Sequence, residues 1–309
     1  MKWQENKMEL TKKKRFYAVL LFMPQFILSL FLLLGVMIGI VQSFGYIPSL
    51  NLNEFSLTYY QDLLNDKQFK QSVFFSLKIA FYSAFLSTIM GLAWAYFWLV
   101  QEKLSRWQQT LVKIPIIVPH LVVALFTLQL FGRTGIFARI LFAMGISNAQ
   151  AWFDALMFQP NGWGIIFSFM WKEIPFVLFY CYPIISSINN KLGEAAQTLG
   201  ASRLQSFIKI VLPLSKNTIL AAFFIIFMYA FGSYELAALL GPTLPKALPI
   251  AAYQAYMHPD LSQRPLAMAY NGILILISLI AVVVIYLIAF YPQLKKQLFS
   301  EEKVGRDVS

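Results

Sequence analysis

Six stretches of this chain are apolar for long enough to cross a lipid bilayer, and nothing else in the sequence constrains the fold as strongly. They run near Phe16–Val41, Ser72–Val100, Leu111–Phe131, Trp163–Ile188, Leu214–Leu240 and Leu266–Tyr291. A helix crosses the hydrocarbon layer in about 20 residues. Lipid offers the backbone no hydrogen-bond partner, so runs of this length must satisfy their own amides as helices. The expected fold is therefore all-α: a polytopic membrane protein with six transmembrane helices. Composition agrees. The chain is 59% hydrophobic and 13% charged, where soluble domains are about a quarter charged.

The first stretch follows Lys12-Lys13-Lys14-Arg15, which resembles the basic start of a signal peptide. Its apolar run is far longer than the roughly 7–15 residues of a cleavable signal, and no small-residue cleavage site follows. It reads as a retained span. Orientation follows from the basic residues. With both termini cytoplasmic, the inner segments 1–16, 101–113, 190–216 and 292–309 hold 17 Lys and Arg, against 6 in the outer segments 42–71, 132–162 and 241–265. That bias is the positive-inside pattern, and it accounts for the net charge of +11 without nucleic acid, which would need a basic face interleaved with exposed aromatics on a soluble surface. The single cysteine, Cys181, and the two distant histidines, His120 and His258, exclude an intramolecular disulfide and a cysteine- or histidine-rich metal site. Cys181 and His120 read as core residues without evident partners. The organisation expected is a tail, first span and outer loop over 1–69, a five-helix core over 70–291 containing a cytoplasmic loop at 190–213, and a cytoplasmic tail over 292–309.

That loop is the most informative segment. Leu192, Ala195, Ala196 and Leu199 recur at helical spacing. Gly200 follows where a helix commonly ends, because glycine enters the left-handed region without a side-chain clash. Ser202, with Gln205 three residues on, is a capping box that starts a second helix. Pro213 suits the first turn of the next helix, where its missing N–H is not needed. Helix, sharp turn and helix, with a small-residue apolar stripe on the cytoplasmic face, describe a docking element.

Glu194-Ala195-Ala196, Gly200, Ile210 and Leu212-Pro213 stand at the spacing E-A-A, three residues, G, nine residues, I-x-L-P. The pattern resembles the signature loop of binding-protein-dependent ABC permeases, the inner-membrane subunits of type I importers. Gly91-Leu92-Ala93-Trp94-Ala95-Tyr96, Pro115 and Pro119, Phe131 to Gly135, Trp171 and Pro175-Phe176 are similar to further family segments, and the resemblance covers roughly residues 70–291. It implies a bacterial inner-membrane permease with no cofactor of its own. A cytoplasmic ATPase dimer would carry ATP and Mg and receive Glu194, Ala195, Ala196, Leu199 and Gly200 in a groove, with Ile210, Leu212 and Pro213 leading back to the membrane. It also implies a second permease subunit, with a heterodimer favoured, and an extracytoplasmic solute-binding protein. No G-x-x-x-x-G-K-[ST] nucleotide loop occurs in the chain, as expected of a subunit that is not itself an enzyme. The Thr198-to-Ser202 form of the loop resembles the polyamine, iron, sulfate, thiamine and phosphonate importers, and a polyamine-like solute is favoured. A sugar permease, and an ATP-independent secondary transporter or channel, are the alternatives.

Ionisable residues at membrane depth point to a substrate path. Lys172 and Glu173 lie roughly 13–15 Å from the outer end of span four at about 1.5 Å per residue, near the midplane. Being adjacent, they point about 100° apart and either line the pathway or brace neighbouring helices. Tyr234 and Glu235 are expected at the outer end of span five. Lys78 is shallow enough to snorkel outward and reads as structural.

Overall fold

The computed structural model describes residues 2–101 and 105–306. In chain order its helices are α1 (Lys2–Ser43), α2 (Thr58–Asn65), α3 (Lys67–Val100), α4 (Arg106–Ile117), α5 (His120–Phe131), α6 (Ile136–Ala143), α7 (Ala149–Asp154), α8 (Trp163–Ile188), α9 (Glu194–Thr198), α10 (Arg203–Ser206), α11 (Leu212–Leu214), α12 (Lys216–Gly232), α13 (Glu235–Leu240), α14 (Leu248–Tyr256) and α15 (Arg264–Arg306). No strand occurs among the described residues; a single antiparallel bridge pairs Ile47 with Leu52. Residues 102–104 of the expected inner segment, and 307–309 of the expected tail, lie outside the described residues.

Five helical stretches are long and apolar enough to span a membrane: Tyr17–Ser43, Lys67–Val100, His120–Ala143, Trp163–Thr198 and Leu261–Ile288. Arg203–Leu214 and Lys216–Gly232, bent by 72° at the break between them, pass the same test together and make a sixth if counted as one broken span. Two expected spans are not continuous helices. Leu111–Phe131 breaks at Val118, whose backbone is extended (φ −68°, ψ 128°), because the ring of Pro119 excludes the helical conformation from the residue before it. Leu214–Leu240 is interrupted at Ser233, again extended (φ −74°, ψ 129°), before α13 begins.

The chain divides into two compact units. In the unit formed by 1–63 with 255–272, the Tyr60 and Ser43 hydroxyls are 2.7 Å apart. Tyr60 also crowds Gly272, where a Cβ atom would run into its hydroxyl oxygen. In the unit formed by 64–254 with 273–309, Asp66 starts α3 by accepting hydrogen bonds from the amides of Gln68 and Phe69. A buried stripe of Ser76, Ala80, Ala84, Ser87, Gly91 and Ala95 follows along α3. Small residues let helix backbones approach closely in lipid, where packing rather than water exclusion drives association. At Gly91 the approach to α8 leaves no room for a methyl group, since a Cβ would lie 2.6 Å from Val177 Cβ. Trp98, Leu178, Ile185, Phe207, Val211 and Ile226 complete this core, and Cys181 is fully buried within it. Lys78 donates to the Pro160 carbonyl at 3.4 Å, a tether between α3 and the outer loop.

Candidate functional site

The 190–213 segment folds as its residues dictate. The chain leaves α8 through a wide helical turn (Asn189–Gly193) and runs directly into α9, so the expected short helix is an extension of span four. Gly200 then takes φ +94°. The Gly200 amide bonds the Gln197 carbonyl and the Ala201 amide bonds that of Ala196, both at 3.0 Å. That pair of bonds is the Schellman closure of a helix end. Ser202 and Gln205 form the expected capping box: Ser202 Oγ accepts from the Gln205 amide, and Gln205 Oε1 from the Ser202 amide.

Two ties hold the hairpin together. The buried Ser206 hydroxyl donates to the Gly193 carbonyl at 3.0 Å, where a Cβ on residue 193 would collide with Asn189 Oδ1 at 2.6 Å. Arg203 donates to the Val100 carbonyl at the end of α3. A second wide turn, Phe207–Val211, then leads through Leu212 and Pro213 to the bend at Ser215. The rigid hairpin presents bare apolar surface: Leu199 is 89% exposed, Ala195 and Glu194 are exposed, and Ala196 and Ile210 are half-buried. Beside it lies a polar cavity of about 430 Å³ whose lining includes Gln101, Ser186, Asn190, Glu194 and Arg203.

The second constellation sits where α5, α8 and α12 meet. Lys172 and Glu173 diverge as expected of neighbours on a helix. Lys172 Nζ donates to the Val118 carbonyl, which the break before Pro119 leaves without a helical partner. Glu173 turns inward, and its carboxylate lies 3.5 Å from His120 Nε2. His120 Nδ1 is 2.9 Å from the Tyr229 hydroxyl. His120 is thus partnered, contrary to the expectation from sequence. Tyr234 packs on Tyr253, ring centroids 5.1 Å apart, and both Tyr234 and Glu235 are exposed. Glu235 follows the interruption at Ser233. The interruption at Ser233 brings it within electrostatic reach of both Lys172 and Tyr229. The sequence carried a signal for His120, a polar ring directly after the proline that breaks a span, and none for Tyr229.

The sequence model of the family described as "Binding-protein-dependent transport system inner membrane component" matches residues 87–296. The chain belongs to that family. Among curated relatives, this permease is 24% identical to the sulfate transport system permease protein CysT of Salmonella typhimurium over 238 residues, covering 75% of this chain and 80% of that one. It is 28% identical to the spermidine/putrescine transport system permease protein PotB of Escherichia coli over 191 residues, covering 60% of this chain and 66% of PotB, just under two thirds of its length. A bacterial alginate ABC transporter chain solved with an alginate-bound periplasmic protein superposes with a TM-score of 0.71 at 23% identity, covering 90% of this chain and 94% of that one. That likeness is one of fold. The permease is thus an integral inner-membrane transport component, and the 190–213 hairpin and the constellation around His120 both fall inside the matched region.

Proposed function

We propose that this permease forms one half of the translocation pathway of an ATP-driven importer, and that a separate cytoplasmic ATPase moves it through the 190–213 hairpin. The observation that carries this reading is the hairpin itself, a turn closed at Gly200 that leaves Leu199 and Ala195 exposed. We read exposed Leu199, with Ala195 beside it on a turn closed by its own backbone bonds, as the surface that meets the ATPase. The chain has no nucleotide loop, so ATP and Mg belong to the partner ATPase dimer. The 70–291 core would pair with a second permease chain, in a heterodimer by preference. A solute-binding protein would deliver a small charged solute past Tyr234 and Glu235 to Lys172 and Glu173. A polyamine-like solute is favoured by the likeness to PotB and by the two carboxylates; the likeness to CysT makes sulfate the competing solute.

The test is to purify the native complex through a tag on this chain and reconstitute it with its binding protein in liposomes. We expect uptake that requires ATP on the hairpin side, and a Gly200→Val complex that stays assembled in the membrane but loses uptake. ATP-independent uptake driven by an ion gradient, or normal uptake by Gly200→Val, would overturn the proposal.

A further inference from the structure

Lys172 and Glu173 are adjacent in sequence but differ in what their charges meet. The Lys172 ammonium is taken up by the Val118 carbonyl. Glu173 is only 8% exposed, and its polar neighbour is His120 Nε2 at 3.5 Å, too far for a good hydrogen bond to a carboxylate. That ring nitrogen is itself buried and makes no hydrogen bond among the described residues. On the other side of the ring, Tyr229 O–H donates to Nδ1 when the imidazole is the neutral Nε2–H tautomer, the form that turns its N–H toward Glu173. A buried carboxylate left with one long contact is costly unless a cation completes it.

The charged groups around the site are few. Glu173 and Glu235 are negative and Lys172 is positive, all within electrostatic reach of one another or of Tyr229. Two carboxylates against one ammonium leave one formal negative charge in excess. Aromatic rings cluster at the same place: the His120 ring centroid is 4.6 Å from that of Tyr229 and 6.1 Å from that of Phe169, and Phe169 meets Tyr229 edge-on. Ring faces favour an organic cation. No group of three metal-binding side chains occurs among the described residues, which argues against a divalent ion. An incoming dianion would meet net negative charge, with the nearest ammonium already engaged.

We propose that Glu173, Tyr229 and His120 form a subsite for a single alkylammonium group of the transported solute, with Lys172 a positioning residue that braces the helix break beside it. The subsite rests on the importer reading, and its test separates the two. The full chain, in its purified complex in nanodiscs without ATP, is titrated with radiolabelled putrescine, spermidine and sulfate. At least one amine should bind. Glu173→Gln should weaken amine binding about tenfold or more, as expected for loss of a charged hydrogen-bond partner. Glu173→Asp should restore part of it, and Tyr229→Phe should weaken it less. Protection of Cys181 from thiol reagents, checked in every variant, reports that the bundle is intact. Sulfate binding without amine binding, amine binding untouched in a folded Glu173→Gln complex, or no amine binding at all would each overturn the subsite. Amine binding that depends on Glu173 in a complex whose uptake ignores ATP would leave the subsite standing and refute the importer reading alone.

Discussion

Replacing Gly91 by alanine measures how closely the two central helices are packed. A Cβ at position 91 would stand 2.6 Å from Val177 Cβ, 2.7 Å from Val177 Cγ1 and 3.0 Å from the Ile174 carbonyl. Favourable carbon–carbon contacts lie at about 3.5–4.0 Å. The α3–α8 seam must therefore open by about 1 Å, enough to forfeit a quarter to a half of the dispersion energy of each contact along it. Overpacking of this kind costs about 1–3 kcal/mol. The substitution also gains about 1 kcal/mol of helix propensity, which a control can remove. At Gly232, the end of α12, a methyl group would meet nothing within 4 Å among the described residues, so Gly232→Ala collects propensity without the clash. The difference between the two variants should then be about 1–3 kcal/mol, or about 2–12 °C in melting temperature. The buried Cys181, the sole cysteine of the chain, supplies the assay, because a thiol-reactive fluorophore reaches it only when the core opens. Gly91→Ala melting level with or above Gly232→Ala would refute the close-packed seam.

Ser206→Ala removes the donor to the Gly193 carbonyl in a buried place; we expect a loss of about 1–3 kcal/mol and faster proteolysis confined to the hairpin. Lys172→Met leaves the Val118 carbonyl at the helix break without its donor. It should lower the melting temperature, with Lys172→Arg recovering part of the loss, whereas a purely solute-binding lysine would alter binding and leave melting unchanged. In the exposed turn before α15, hydrogen bonds from the Ser262 hydroxyl and amide hold the Asp260 carboxyl below its ordinary value, and nearby His258 assists. A depressed carboxyl stabilises the turn above its unfolded pKa and ceases to as the pH falls through the lower folded value. The 258–263 turn should therefore keep its protection from proteolysis at pH 5 and lose it on acidification below about pH 4; Ser262→Ala should move the loss to higher pH.

What was legible in the sequence was what short-range chemistry decides. Gly200, Ser202 and Gln205 specify their turn through bonds spanning at most five residues, so spacing alone reveals it. Pro119 stands in plain view inside the span expected over Leu111–Phe131, and its steric effect on Val118 interrupts that span. The interruption at Ser233 has no proline to announce it. The wide turns at Asn189–Gly193 and Phe207–Val211 lie on the two limbs that the Ser206–Gly193 bond joins, a tie between residues 13 apart that no local pattern encodes. His120 stands 53 residues from Glu173 and 109 from Tyr229, so their meeting is a product of helix packing alone.

The two interrupted spans also explain why the polar side chains gather where they do. Irregular backbone at membrane depth persists only where protein or a wet cavity satisfies it. The break at Val118 is answered by Lys172, one ammonium for one freed carbonyl. Immediately beyond that break comes His120, and immediately beyond the interruption at Ser233 come Tyr234 and Glu235. Each discontinuity thus places a polar residue at the start of a helix segment, facing a common region. A continuous helix could carry the same residues, but it would spend none of its backbone on holding Lys172. With the Lys172 hydrogen bond committed to the backbone, and two carboxylates against its one ammonium, the proposed subsite leaves Glu173 to meet the cation of the solute. That division of labour predicts opposite signatures for two adjacent residues: stability should follow Lys172, and ligand affinity should follow Glu173.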